Sequence, residues 1–456
     1  MTTQHQEPDE LSDFAELLRH EEEFPDRRRS VDPRVRRARR RGWITTAIVF
    51  AVVLAMSGGY VGWALTAPLG APAVTSHAPA VPVSPPAAVR LPSQGASAIS
   101  VAGGDEYLGA AASGIWLTSG TDEPHPIASI SKLITALVIL EAKPLASADD
   151  PGPTITFRKA DHDLYDKYYV MGATIAAMPT GSSMSLRDAL ATMLIPSACN
   201  YAEAVSTWAF GSQRAYLDAT RGWLAAHGLT GTTIVEPTGI SPRNTSTPSD
   251  LLTIGKLAAA NPAIAKIVAT RSVSLPGPGA MSNTNDLLGG NGITGLKTGN
   301  LGEGSYSLLY TASVDVGAAK PLTVTGVVLG GHSRQSVNGT VVAALDSIRN
   351  GFHQVPVATA GQQVGSYSTP WGSTAKMVVS DSASILTWSD TAITVTMQTT
   401  TPPAYADGEV VGTITWTAGP HTATATVEIE GALSPPTDWW RLTHPSELGA
   451  PWSQAR

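Results

Sequence analysis

The pattern of hydrophobic and polar positions predicts one long apolar helix near the N-terminus, followed by a polar stretch and a globular part. Residues 43–65 carry no charged side chain, and a segment of that length can cross the hydrocarbon core of a bilayer. Trp43 lies at one end, with Tyr60 and Trp63 at the other, where aromatic rings favour the membrane interfaces. We therefore expect a transmembrane helix over 43–65.

The flanks of this segment indicate its orientation. Residues 1–42 are first acidic and then rich in arginine, whereas Arg90 is the single Lys or Arg in the far flank, 66–96. By the positive-inside rule, the N-terminus is expected in the cytoplasm and the chain beyond the helix outside the membrane. A cleaved signal peptide is the alternative, although its apolar core is usually shorter and nearer the N-terminus. The flank 66–96 is rich in proline and alanine, which predicts a semi-extended linker.

The globular part begins at about residue 97 with helical patterns and continues with strand patterns. The run after Ser129 is apolar nearly all round, as in a buried central helix, and further helices are predicted after Ser185 and over 246–261. Alternating strand patterns cover 305–314 and 321–331. Helices followed by strands favour an α+β domain with an antiparallel sheet.

The pattern changes again at residue 356. Short runs rich in Val, Ile and Thr, separated by Gly and Pro, predict an all-β module over 356–434. Residues 435–456 are expected to form a flexible tail. In that tail Trp439 and Trp440 are candidates either for packing against the protein or for contact with a membrane interface, and packing is preferred.

Composition excludes some classes of protein. The net charge of −7 over 456 residues gives no basis for nucleic acid as a partner. Cys199 is the single cysteine, so an intramolecular disulfide is impossible. A cluster of Asp, Glu and His with metal-ligand spacing is not apparent, and we expect neither a metal nor a cofactor.

The first motif that carries chemistry is Ser129-x-x-Lys132. On a helix, this spacing places both side chains on one face. A serine hydroxyl is a weak nucleophile, and a neighbouring amine can accept its proton. If Ser129 opens the helix, its backbone N–H points to where an oxyanion would form. Alone, the motif is common and is usually solvated helix surface.

Two further short motifs follow it. Lys297-Thr298-Gly299 places a charge and a hydroxyl where they can hold a carboxylate together, and the glycine permits close approach of a ligand. Ser197 lies between the two motifs, in a segment that continues to Asn200. Each of these short motifs has an ordinary explanation, as an exposed turn or as the start of a helix.

Together and in this order, the motifs resemble Ser-x-x-Lys, Ser-x-Asn and Lys-Thr-Gly of penicillin-binding proteins and serine β-lactamases. The surrounding sequence, from about residue 105 to 355, is similar to the D-alanyl-D-alanine carboxypeptidases. This resemblance implies a β-lactamase/transpeptidase-like catalytic domain over 97–355, followed by a C-terminal β-domain. It implies removal of the terminal D-alanine from peptidoglycan stem pentapeptides outside the cell membrane, with β-lactams as covalent inhibitors.

The resemblance also implies roles for individual residues. Ser129 would form the acyl-enzyme, Lys132 would be its general base, and Ser197 would relay a proton to the leaving amine. The backbone N–H groups of Ser129 and Asn300 would form the oxyanion hole. Two lysines converging on one site disfavour each other's charge, which favours a Lys132 able to accept a proton. The implied substrate-binding residues are Lys297, Thr298, Asn200 and Asn300, and Arg334 is a loose match to a further basic residue of the family.

The sequence departs from the family at Cys199, which occupies the third position of Ser-x-Asn. An amide there normally donates to the substrate, and a thiol is a weak substitute. A shift that brings Asn200 inward, compensation by another donor, and an impaired enzyme all stay open. The alternatives to a carboxypeptidase are a non-catalytic wall-binding scaffold of the same fold, which Cys199 favours, and β-lactamase or transpeptidase activity. The Glu-x-x-Leu-Asn loop expected of a class A β-lactamase is not found.

Overall fold

The computed structural model describes residues 33–449, so most of the predicted acidic and Arg-rich tail and the last seven residues lie outside it. The chain forms two compact units. The first contains the segment up to Val74, Tyr367–Thr374 and the segment from Leu433 onward. The second contains Thr75–Ser366 and Ala375–Ala432, so the predicted catalytic and C-terminal β-domains fall in one unit.

The first unit is dominated by helix α1 (Pro33–Thr66). It includes the predicted span 43–65, and it is long and apolar enough to cross a membrane. Most of its apolar side chains are exposed, as on a helix whose surface faces lipid. The helix extends into the Arg-rich segment because Arg and Ala are strong helix formers.

The second unit begins with the elements that resemble a catalytic domain. Its helices are α2 (Asp105–Leu108), α3 (Ser131–Ala142), α4 (Lys159–Val170), α5 (Leu186–Leu194), α6 (Cys199–Phe210), α7 (Gln213–Ala226), α8 (Pro248–Ala260), α9 (Pro262–Val268) and α10 (Arg334–Asn350). Strand β1 (Ala73–Ser76) contains the boundary between the two units. The strands that follow it up to the same point are β2 (Ala96–Ala102), β3 (Leu117–Ser119), β4 (His125–Pro126), β5 (Thr154–Thr156), β6 (Ser183–Ser185), β7 (Thr245–Ser246), β8 (Ser272–Leu275), β9 (Gly279–Ser282), β10 (Ile293–Gly299), β11 (Tyr306–Val314) and β12 (Leu322–Gly331).

An antiparallel sheet of five strands, in the order β10-β11-β12-β2-β3, forms the centre of this region. Successive side chains of a strand point to opposite faces. Leu309 of β11 therefore belongs to the core that contains α3, whereas Leu308 and Tyr310 belong to the core that contains α10. Because both faces are covered, β11 and β12 are almost continuously buried. The predicted α+β class with an antiparallel sheet is confirmed.

The predicted helices around the sheet are confirmed. In α3 every residue from Ser131 to Leu140 is buried, as its all-round apolar pattern predicts. The side chain of Ser185 caps α5 by accepting a hydrogen bond from the Asp188 N–H at 3.0 Å. Thr247 caps α8 in the same way through the Asp250 N–H, at 3.1 Å.

The C-terminal strands form the predicted all-β part. They are β13 (Phe352–Ala358), β14 (Gln363–Ser368), β15 (Thr374–Val379), β16 (Ala383–Trp388), β17 (Ile393–Thr399), β18 (Val410–Ala418) and β19 (His421–Glu430). One sheet has the order β1-β14-β15-β19-β18-β17, and β13 pairs with β16. The first residues of β13 precede the predicted boundary at 356, because the chain passes from α10 into this strand without a linker.

The segment predicted to be a flexible tail contains the short helix α11 (Asp438–Thr443). The Thr437 side chain caps it by accepting from the Trp440 N–H at 3.2 Å. The helix packs against α1 within the first unit. A six-residue helix is unstable alone, so α11 depends on this packing. The local sequence pattern does not reveal the packing, and for that reason it predicted a flexible tail.

Candidate active site

Ser129 and Lys132 meet at the start of α3. Ser129 lies in the 3₁₀ turn Ala128–Ile130 that leads into the helix, and it is partly exposed. Lys132 is fully buried, and its Nζ atom donates to Ser129 Oγ at 2.8 Å and to the Thr238 carbonyl at 2.7 Å. The amine is therefore within direct proton-transfer distance of the hydroxyl.

Neighbouring backbone fixes the turn that carries Ser129. Ala128 has φ 48°, in the left-handed region, and its carbonyl accepts a hydrogen bond from Ser131 Oγ at 2.7 Å. Gly239 packs directly against it, and a Cβ at this glycine would lie 1.9 Å from the Ala128 oxygen. Ser129 thus rests on a surface that only a glycine can provide.

A carboxylate holds the loop that contains Gly239. Glu236 accepts hydrogen bonds from the N–H groups of Thr238 and Gly239, each at 2.7 Å, and from Asn244 Nδ2 at 3.1 Å. These bonds fix the Thr238 carbonyl that receives the Lys132 amine. Glu236 and Asn244 lie in a stretch that resembles the family, but no single motif marks them as part of the site.

Ser197 lines the same cavity as Ser129. The residue has φ 71°, which is uncommon for a side chain other than glycine. Its Oγ is buried and has no hydrogen-bond partner among the described residues. A buried hydroxyl without a partner is costly, and such sites often have a function.

The structure distinguishes Cys199 from Asn200. Cys199 is buried and lines the cavity, whereas Asn200 is not among the described residues that line it. The Asn200 amide instead donates to the Ala176 carbonyl at 2.8 Å and accepts from the Ala176 N–H at 3.1 Å. Consecutive helical residues point about 100° apart, so only one of the two side chains faces the cavity. The inward shift of Asn200 considered from the sequence is not observed.

Lys297, Thr298 and Gly299 end strand β10. Lys297 is buried, and its Nζ atom donates to Thr284 Oγ1 and to the Thr298 carbonyl, both at 3.3 Å. Burial, reinforced by the positive charge of Lys132, holds the pKa of Lys297 well below its ordinary value. A Cβ at Gly299 would lie 2.7 Å from the Ile127 carbonyl oxygen, so this glycine lets the strand edge approach the turn that carries Ser129.

These groups surround a cavity of about 430 Å³. Its lining includes Ser129, Ser197, Cys199, Thr298, Asn300 and Arg334. The two buried lysines reach this lining through hydrogen bonds, Lys132 to Ser129 and Lys297 to Thr298. The Asn300 side chain accepts from the Gly302 N–H at 2.7 Å and so binds its own loop. Arg334 is half-exposed and lies 3.5 Å from Asp286. The cavity can take a short chain end that carries a carboxylate.

Comparison with known proteins agrees with this geometry. A family model described as D-alanyl-D-alanine carboxypeptidase (Peptidase_S11) matches residues 96–332. D-alanyl-D-alanine endopeptidase of Pseudomonas aeruginosa is 33% identical over 178 residues, which are 39% of this chain and 52% of the relative. The protein of that name from Escherichia coli is 30% identical over 151 residues, 33% of this chain and 45% of the relative.

The chain thus spans about half the length of the curated relatives it matches. Among solved structures, penicillin binding protein 6B from Escherichia coli superposes with a TM-score of 0.51 at 18% identity, over 77% of this chain and 99% of that one. This likeness shows the fold. The family match covers more than half of the sequence, and the chain belongs to the D-alanyl-D-alanine carboxypeptidase family.

Proposed function

We propose that this protein is a membrane-anchored serine carboxypeptidase that removes the terminal D-alanine from peptidoglycan stem pentapeptides and is acylated by β-lactams. The observation that carries the proposal is the 2.8 Å contact between the buried Lys132 amine and the hydroxyl of Ser129, which lines the cavity. Helix α1 would anchor the chain, with the N-terminus in the cytoplasm and the active site outside the membrane.

In the proposed reaction, Ser129 Oγ attacks the carbonyl carbon of the penultimate D-alanine, and its proton passes to Lys132 Nζ. The negative oxygen of the tetrahedral intermediate is stabilised by the backbone N–H groups of Ser129 and Asn300. The C–N bond then breaks, and the Ser197 hydroxyl passes the proton to the leaving amine. Water hydrolyses the acyl-enzyme and restores the Ser129 hydroxyl. The free Ser197 Oγ supports the relay role, because no other described group competes for it.

Lys297 and Thr298 are proposed to bind the terminal carboxylate. Because the pKa of Lys297 is lowered, carboxylate binding should change the protonation of its amine. A carboxylate beside the buried amine stabilises its charged form and raises its pKa, so binding should be accompanied by proton uptake wherever the free amine is partly neutral.

Cys199 supports the alternative function, a non-catalytic wall-binding scaffold. The thiol stands where the family has an amide donor, and the Asn200 amide is engaged with Ala176. Another donor at the cavity must then hold the substrate peptide, or turnover is impaired.

The test is acylation of the full-length protein in detergent by benzylpenicillin, followed by intact mass. We expect one penicilloyl adduct, absent from Ser129→Ala. D-alanine release from a pentapeptide, measured with and without an acceptor amine, then separates hydrolysis from transpeptidation, and penicillin turnover reports β-lactamase activity. A folded wild-type protein without an adduct would contradict the proposal and favour the scaffold.

A further inference from the structure

The outer end of helix α1 is covered by the C-terminal segment Leu433–Gly449, which we name the C-terminal clasp. Tyr60 Oη of α1 donates to the Leu442 carbonyl at 2.7 Å. The Gly449 N–H donates to the Pro68 carbonyl at 3.1 Å. The clasp and the end of α1 belong to the same compact unit, and sequence distance gives no hint of the contact.

Arg441 of the clasp caps the end of α1. Its Nη1 atom donates to the carbonyls of Ala64 and Ala67, at 3.3 and 2.9 Å. The last carbonyls of a helix have no partner within the helix, and a positive charge near them interacts favourably with the helix dipole. At a membrane boundary, where water is scarce, this capping is worth more than in solution.

The two adjacent tryptophans of the clasp have opposite environments. Trp440 stacks on His444 with ring centroids 4.7 Å apart and meets Trp371 edge-on at 5.4 Å. The Trp371 indole N–H donates to the Ser434 carbonyl at 2.6 Å, which ties a second part of the unit to the clasp. Trp439 is 74% exposed. A large exposed indole on a docked helix is costly in water but is favoured at a membrane interface.

The position of the clasp along α1 fixes its depth. A hydrocarbon core of about 30 Å takes about 20 helical residues at 1.5 Å each. Counted from Trp43, the core ends near Gly62, so a helix docked beside Tyr60 and Ala64 lies at the boundary between acyl chains and headgroups. The Tyr60 and Trp63 rings, whose centroids are 6.0 Å apart, lie within one turn of each other on α1 and therefore at a similar membrane depth.

We propose that α11 is an interfacial helix whose Trp439 inserts into the membrane that α1 crosses. The occupant of this exposed surface is the phospholipid interface itself, continuous with the lipid around α1, and the inference rests on α1 spanning the bilayer. Arg441 is the only Lys or Arg in Leu433–Gly449, and its Nη1 atom is engaged with carbonyls, whereas Asp438 and Glu447 of the same segment are acidic. The proposed contact therefore depends on the Trp439 ring, and anionic lipid should not strengthen it.

The test is nitroxide depth measured by power-saturation EPR on the full chain in phosphatidylethanolamine/phosphatidylglycerol vesicles. The variant Cys199→Ser removes the native thiol, and Trp439→Cys carries the label. We expect the label to be several-fold more accessible to oxygen than to a water-soluble nickel chelate. A label at Lys159→Cys, a side chain 80% exposed, is the aqueous control. A Trp439 label as accessible to the nickel chelate as this control would overturn the proposal.

Two further measurements test the parts separately. The fluorescence of the wild type minus that of Trp439→Phe gives the contribution of the native Trp439 ring. Brominated lipid should quench this contribution, and a contribution that is not quenched would contradict insertion. Arg441→Ala should move the Trp439 label into water, whereas Arg441→Lys, which can still donate to a carbonyl, should largely keep its depth. Unchanged depth in Arg441→Ala would show that the clasp does not position Trp439.

Discussion

Gly239→Ala tests whether the surface beneath Ser129 controls catalysis. A Cβ at this position would lie 1.9 Å from the Ala128 oxygen, 2.3 Å from the Ala128 carbonyl carbon and 2.9 Å from the Ser129 nitrogen. Ordinary van der Waals contact begins near 3.4 Å, so the backbone segments at Gly239 and Ala128 must separate by about 1.5 Å. Because the atoms on both sides belong to backbone, no side chain can move aside to absorb the clash.

The expected effect follows from that displacement. A reacting group misplaced by about 1 Å can cost about 100-fold in rate, equivalent to about 2.7 kcal/mol. The positive φ of 81° further costs about 1–2 kcal/mol of folding stability when alanine replaces glycine. We therefore expect Gly239→Ala to acylate with benzylpenicillin at least 100-fold more slowly than the wild type, at a temperature where both proteins are folded.

The matched control is Gly211→Ala. Gly211 has φ 82°, but a Cβ there would meet no atom within 4 Å. It ends α6 outside the described cavity lining, so it carries the backbone strain without the clash. The control should lose similar thermal stability and keep its acylation rate. The reasoning is refuted if Gly239→Ala acylates within threefold of the wild type, or if both variants slow equally.

Three other substitutions have defined outcomes. Lys297→Met should abolish carboxylate binding yet stabilise the fold near neutral pH, because it removes an amine whose charged form is disfavoured by burial. Because folding lowers the pKa of Lys297, the unfolded wild-type chain binds more protons than the folded one at pH values between the lowered pKa and the ordinary value of 10.5. The wild type therefore gains stability as pH rises through this range, and the stability advantage of Lys297→Met should shrink. A difference in unfolding free energy that does not change with pH would contradict this prediction. Asn200→Ala should lose about 2–4 kcal/mol in thermal unfolding, because both backbone groups of Ala176 lose a buried partner. Glu236→Gln should slow acylation tenfold or more by loosening the Thr238 carbonyl, and destabilisation without slower acylation would refute that link.

Local signals in the sequence were sufficient where a residue acts through its own element. The apolar run after Ser129 predicts the buried helix α3, and Ser185 caps α5 as its sequence context indicates. The three motifs that identify the family also converge, since Ser129, Ser197 and Thr298 line one cavity. In each case a side chain and its spacing carry the information.

Other features depend on backbone and tertiary geometry, which residue types do not indicate. The acceptor for Lys132 is the backbone carbonyl of Thr238, and every residue has a carbonyl. Whether Cys199 or Asn200 faces the cavity depends on where α6 starts after Ser197, a rotation that composition does not determine. The one-sided exposure at Trp439 likewise depends on α11 docking on α1.

The contact between α11 and α1 closes the polypeptide from Thr66 to Asp438 into a ring without a covalent cross-link. Within the ring the two helices face each other at a high effective concentration, so a small contact is enough to keep them together. A protease that cuts the Pro/Ala-rich segment between residues 77 and 92 would open the ring, and the same contact would become a bimolecular encounter. One cut in that segment should therefore end the covalent link to α1 and also weaken the contact between α11 and α1.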